Sequence, residues 1–195
     1  LWRVQRDAPE RGRIGVFNRS HYEEVLVVRV HPEYLGGQKL PRIPRGAAVW
    51  RERYESINAW EQHLARNGTV ILKFWLNVGR KEQKRRFKML EKDPLKSWHV
   101  QPEDWEHHRK YSKYVVAIEE MLERTDTEWG PWTIVEATDR RWTRVKICET
   151  VIKAMEEALD QDDEAGTGRA EKLSAMEGSA AHGHDALRVE EVVGA

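Results

Sequence analysis

The chain has 195 residues, within the range of one domain. Its 33 Lys and Arg are matched by 33 Asp and Glu, which argues against a general attraction to nucleic acid or membrane and turns attention to local clusters. A lone cysteine, Cys148, excludes an internal disulfide and fits a reducing cytosol. With no run of about 18 apolar residues and no charged-then-apolar leader, neither a membrane span nor a signal peptide is expected. The expected location is cytoplasmic, and Leu1 in place of an initiator methionine points to a fragment.

Leu1 to Arg6 read as the last turns of a helix, and Ala8-Pro9-Glu10-Arg11-Gly12 as a turn. Ile14, Val16 and Phe17 have the β-branched and aromatic character of a buried strand, and Asn18-Arg19-Ser20 follows as the polar turn at its carboxyl end. Ser20 and Glu23 have capping-box spacing, which predicts a helix from there with Tyr22, Val25, Leu26 and Val28 buried. Ligands of open α/β sheets bind beyond the carboxyl ends of the strands. Arg19, Glu23 and Glu24 would border that crevice.

His31 to Ala47 contains Gly36-Gly37, Pro41 and Pro44 and reads as a long loop on the ligand side. Val49 to Arg66 places Trp50, Tyr54, Ile57, Trp60 and Leu64 near a helical period, and Asn67-Gly68 supplies the stop. Thr69 to Leu76, TVILKFWL, is the most strand-like stretch, continuous and apolar but for one lysine, as a buried parallel strand reads. Asn77-Val78-Gly79 closes it. A charged helix follows to about Leu90, Asp93-Pro94 breaks it, and Gln101-Pro102-Glu103 opens one long helix to Arg124. Trp132 to Ala137 is the third strand, and Thr138-Asp139 can cap a last helix with Trp142, Val145, Ile147, Val151, Ile152 and Met155 on its apolar face. From Gln161 to Ala195 alanine, glycine and acids dominate, which predicts a disordered tail. The alternation implies an α/β domain over 1–160 with a mainly parallel sheet covered on both faces.

The charged helix carries the chemistry. At 100 degrees per residue, Lys81, Lys84, Arg85, Lys88 and Lys92 fall in one stripe while Phe87 and Leu90 point the other way. Glu82, Glu91 and Asp93 lie off the stripe. Such a helix is either an ordinary solvated face or an anion-binding surface. Other conspicuous residues have plainer readings. Most of the nine tryptophans sit at packing positions, with Trp98 and Trp105 the two able to meet a base or close over a ligand. His107-His108 are adjacent, point to different faces and make a poor metal site. Asp104 stands one turn before His108, His182-Gly183-His184 lies in the tail, and Cys148 reads as a small core residue.

IGVFNRSHYEEVLVVRVH resembles the second conserved block of the polyphosphate kinase family 2, P-loop kinases that move phosphoryl groups between inorganic polyphosphate and nucleotides. The resemblance continues through RERYESINAWEQHLARNGTVILKFWL, EQKRRF, DPLKSW and TDTEWGPWTIV, and covers roughly Leu1 to Leu159. Asn-Arg-Ser-His-Tyr resembles the branch acting on nucleoside mono- and diphosphates. The resemblance implies a P-loop-kinase-like sheet and a helical lid at about 79–105. It implies polyphosphate held by Lys81, Lys84, Arg85 and Lys88, with Lys96 just beyond, and Arg19 on the opposite wall. It further implies Mg²⁺ bridging the phosphates, with Asn18, Glu23 and Glu24 near metal and nucleotide and Glu24 as a metal ligand. For Glu23 alone, a helix cap explains the residue equally well.

A kinase of this architecture needs a glycine-rich phosphate loop after its first strand, and no G-x-x-x-x-G-K occurs in these 195 residues. In the family that loop precedes the Asn-Arg-Ser block, and its strand lies between those matching Ile14 to Phe17 and Thr69 to Leu76. The isolated chain is therefore expected to be inactive, and its partners to include a missing amino-terminal half or further copies of itself. Departures from the family pattern are Trp129-Gly130, Tyr111-Ser112-Lys113-Tyr114, Asn77, Gly79 and Glu24. The competing reading is an inactive remnant or a polyanion- or RNA-binding module built on the cationic helix.

Overall fold

Parallel strands need a long crossover, and here three helices supply it. In the computed structural model, which describes residues 2–38 and 46–181 and the side chains of 4–38 and 46–160, β1 (Lys73–Asn77) pairs with β2 (Trp132–Glu136), Lys73 opposite Trp132 and Asn77 opposite Glu136. Between them run α4 (Arg80–Glu91), α5 (Pro102–Arg109) and α6 (Tyr111–Thr125). Ahead of β1 lie α1 (Trp2–Arg6), α2 (Glu23–Val30) and α3 (Ala47–Arg66), and α7 (Arg140–Ala181) follows β2. The core forms where α2, α3 and α6 meet the sheet: Tyr22, Val25, Tyr54, Ile57 and Met121 are buried together, with Trp75, Leu122 and Trp132 packed on them.

The first expected strand is corrected. Ile14–Phe17 makes no ladder among the described residues, and Ile14 and Val16 are 75% and 87% exposed. A strand is stabilised by cross-strand bonds and side-chain pairs, and neither β1 nor β2 pairs with this segment. The capping box is also absent. Ser20 Oγ accepts the Tyr22 amide at 3.4 Å, Glu23 turns to Arg19 instead, and α2 begins at Glu23 rather than Ser20.

Other boundaries shift for local reasons. Pro32–Gly37 is a 3₁₀ turn, and Pro41 and Pro44 fall outside the described residues. The strand expected over Thr69 to Leu76 pairs only from Lys73, leaving Val70 and Leu72 exposed. The long helix expected to Arg124 breaks at Lys110. Asp104 accepts the Gln101 amide at 2.8 Å and so anchors the start of α5. Asp139 caps α7 as expected, accepting the amides of Arg141 and Trp142 at 2.7 and 3.1 Å. Cys148 is exposed, not a core residue.

Two compact units divide at Cys148 and Glu149. The second begins at Glu149 within α7, and α7 runs on to Ala181, through the first part of the stretch expected to be a disordered tail; alanine and glutamate are good helix formers. Residues 182–195, with His182 and His184, lie outside the described residues. Among the described residues no helix is long and apolar enough to cross a membrane.

Candidate functional site

Asn18 and Arg19 are exposed in the turn that feeds α2. Arg19 has φ +73°, a left-handed conformation that costs a non-glycine residue on the order of 1 kcal/mol. Its guanidinium pairs with Glu23, one turn on, where the carboxylate also faces the positive end of α2. Glu24 points elsewhere. Its carboxylate accepts Gln38 Nε2 at 2.9 and 3.0 Å and lies 3.2 Å from Arg53 Nε, and Arg53 also donates to Gln38 Oε1 at 3.0 Å.

The cationic helix is α4. Its inner side is anchored by Phe87, edge-on to Trp105 with ring centroids 5.2 Å apart, and Trp105 Nε1 donates to Glu91 Oε1 at 2.6 Å. Trp105 is thereby committed to packing, whereas Trp98 is exposed and stacked on His99 at 3.7 Å. On the outer side Lys81, Lys84 and Lys88 are exposed, and no acid pairs with them among the described residues. The other two candidates are engaged. Glu82 takes both Arg85 (2.7 Å) and Arg86 (2.8 Å), which hold its carboxyl down at about 2, and Lys96 pairs with Asp93 at 2.6 Å.

At the α5–α6 junction α4 rests on α5, through Phe87 on Trp105 and Gln83 beside His108. The Tyr114 hydroxyl is pushed up to about 12 by burial, with Tyr34 and Glu106 adding and the Arg19 charge opposing. Burial, then the charges of Arg80 and Lys84, lower the pKa of His108, whose Nδ1 lies 2.7 Å from Gln83 Oε1. Tyr111 donates to the Val78 carbonyl at 3.1 Å, tying α6 to the entrance of α4. The charge of Arg19 thus reaches Tyr114 of α6, and those of Arg80 and Lys84 reach His108 of α5.

Sequence reasoning missed a buried polar cluster beneath the Asn18–Ser20 turn. Lys73, the lone cation of the apolar strand, is 6% exposed, and Glu61 is 1% exposed. Lys73 Nζ donates to Glu61 Oε2 (2.9 Å), Tyr22 OH (3.2 Å) and the Thr125 carbonyl (2.6 Å). Tyr22 OH donates to Glu61 Oε1 at 2.6 Å, and His21 Nε2 lies 3.1 Å from the same oxygen. Burial raises the pKa of Glu61, but the bonds from His21, Tyr22 and Lys73 and the Lys73 charge outweigh it, and the net direction is down. A usable signal was present: Glu61 falls four residues after Ile57 and three before Leu64, on the face that packs inward.

Glu24 does not fit a resident metal ion, because Arg53 and Gln38 already take its oxygens. Among the described residues no group of three or more His, Cys, Asp or Glu side chains is placed to hold one.

The family model described as Polyphosphate kinase 2 matches residues 1–163. An ADP-polyphosphate phosphotransferase of Rhodopseudomonas palustris is 41% identical over 177 residues, covering 90% of this chain and 61% of that protein. A polyphosphate:AMP phosphotransferase of Pseudomonas syringae pv. tomato is 38% identical over 162 residues, covering 83% of this chain and 30% of its relative. Among solved structures, a polyphosphate kinase 2 from Arthrobacter aurescens TC1 is similar with a TM-score of 0.73 at 33% identity, covering 80% of this chain and 52% of that one. The chain thus spans between 30% and 61% of the length of these three proteins.

Proposed function

Because this chain belongs to the polyphosphate kinase 2 family, we propose that it takes part in phosphoryl transfer between inorganic polyphosphate and AMP- or ADP-type nucleotides. Its place is the part of the enzyme that holds the linked phosphates. The observation that carries this reading is the outer side of α4, where Lys81, Lys84 and Lys88 stand exposed and, among the described residues, unmatched by acid.

Polyphosphate is a flexible chain charged on every unit, and mobile ammonium groups hold such a chain without demanding one pose. Lys81, Lys84 and Lys88 form the clamp. Arg85 joins when it leaves Glu82, and Lys96 when it leaves Asp93. On the opposite wall Arg19 exchanges the Glu23 carboxylate for phosphate oxygens, to which its guanidinium presents a fork of donors. Asn18 and Glu23 lie beside the reacting end. Mg²⁺ would come with the phosphates as part of the substrate and would supply charge compensation during transfer. Residues 79–105 act as a lid. Proteins of this class catalyse by positioning and charge compensation, and the positioning of the terminal phosphate falls to a glycine-rich loop that these 195 residues do not contain.

The test follows directly. The purified chain, incubated with polyphosphate, AMP or ADP and Mg²⁺, should give no turnover, and a form extended by a G-x-x-x-x-G-K segment should give it. In the extended form Lys84→Ala with Arg85→Ala should lower the rate at least tenfold; an unchanged rate removes the clamp. The unmatched lysines also favour a second reading, a general polyanion module. That module would bind tripolyphosphate and oligonucleotide alike, with the same steep salt dependence and no need of Mg²⁺.

A further inference from the structure

We propose that the buried Lys73–Glu61 pair is a positioning device which, through Tyr22 and His21, fixes the Asn18–Ser20 turn and so the direction of Arg19. The inference deepens the reading of Arg19 as a phosphate-binding wall and rests on it.

At its centre the cluster is fully engaged, and only the outer nitrogen of His21, Nδ1, has no partner among the described residues. Lys73 has three protons and three acceptors, and Glu61 uses both oxygens, one on Lys73 and one shared by Tyr22 and His21. It joins five elements: Tyr22 at the head of α2, Glu61 on α3, Lys73 on β1, Thr125 at the end of α6, and Trp132 on β2. The indole Nε1 of Trp132 donates to Thr125 Oγ1 at 2.9 Å, and its ring meets Tyr22 edge-on at 4.7 Å. His21 is likewise edge-on to Trp60 at 4.8 Å.

Stability alone does not account for it. A buried ion pair is no more stabilising than well-packed apolar groups of the same volume, and Val25, Ile57 and Met121 already supply an apolar core beside it. What charged hydrogen bonds add is direction. A left-handed arginine persists only where its surroundings over-determine it, and Arg19 lies two residues from His21 and three from Tyr22. Lys73 is also the first residue of β1, whose far end leads through Val78 and Gly79 into α4. One side chain therefore references both walls of the proposed pocket to a common point.

Tyr22→Phe is the sharpest probe, since it keeps the ring against Trp132 and removes only the hydroxyl. Amide hydrogen exchange should accelerate roughly tenfold over residues 19–23 while the middle of α6 is unchanged; unchanged exchange at the turn overturns the proposal. The second measurement is a double-mutant cycle with Arg19→Ala, read as tripolyphosphate affinity by calorimetry. Tyr22→Phe should weaken binding several-fold in the parent and not at all in the Arg19→Ala background. An equal loss in both backgrounds means a merely structural hydroxyl and also overturns it. If Arg19→Ala itself leaves affinity unchanged, the phosphate-binding reading of Arg19 fails, and the exchange result alone decides whether the pair sets the turn. Should Tyr22→Phe fail to fold, Glu61→Gln takes its place in both experiments, with the same outcomes.

Discussion

Glu61 keeps its charge inside the core because His21, Tyr22 and Lys73 converge on it. Its folded pKa lies below the ordinary 4.5, so its contribution to stability is fully present above that value and is lost as the pH falls through the folded pKa. Denaturant titrations should therefore show stability dropping below pH 4.5, and Glu61→Gln should shrink that drop; an identical acid limb in the variant would mean that Glu61 is not the titrating group. At neutral pH Lys73→Ala strands the carboxylate and should cost on the order of 3–5 kcal/mol, read from the shift in midpoint. A change below about 1 kcal/mol would show that the pair is solvated. Half of this pair was readable: TVILKFWL displays its lysine, and a charge in an apolar strand demands a partner. The other half carried a weaker signal: Glu61 sits at the inward spacing set by Ile57 and Leu64, but a glutamate on a helix is read as solvent-facing until tertiary structure brings Lys73 beneath it. Glu24 shows the converse: its position beside Glu23 in sequence says nothing of Arg53 and Gln38, which claim it.

At the scale of elements, α4 was the most readable part of the candidate site. Its period separated Phe87 from the lysines, and Phe87 does pack inward on Trp105. Which cations stay unmatched depended on rotamers that no wheel shows. Arg85 lies in the stripe, yet Glu82 reaches it three residues away. Lys84→Ala should therefore weaken tripolyphosphate binding more than Arg85→Ala, by roughly two- to fivefold for one surface contact; calorimetry at 50 and 200 mM salt would check the order, and the reverse order would show that Arg85 leaves Glu82 readily. The Ile14–Phe17 strand misled for a complementary reason. β-branched content reports a preference for a pleated, half-buried surface, whereas a strand exists only beside another. Likewise Ser20 and Glu23 have capping spacing, but Arg19 takes Glu23 first. The helix, strand and cap patterns are local, and each error arose where a neighbour distant in sequence, or a stronger local partner, decided the outcome.

For the whole molecule, membership of the polyphosphate kinase 2 family accounts for the α/β order and the parallel β1–β2 pair. The proposal that α4 and the Asn18–Ser20 turn share one ligand is a statement about assembly, motivated by the packing of α4 on α5 and by the charge of Arg19 reaching Tyr114 of α6. The most direct test is a titration of the isotope-labelled chain with tripolyphosphate and Mg²⁺, followed by nuclear magnetic resonance at assigned amides and side chains. Signals from Arg19, Lys81, Lys84 and Lys88 should move together along one saturation curve. Movement confined to α4, with Arg19 still, would contradict a shared pocket.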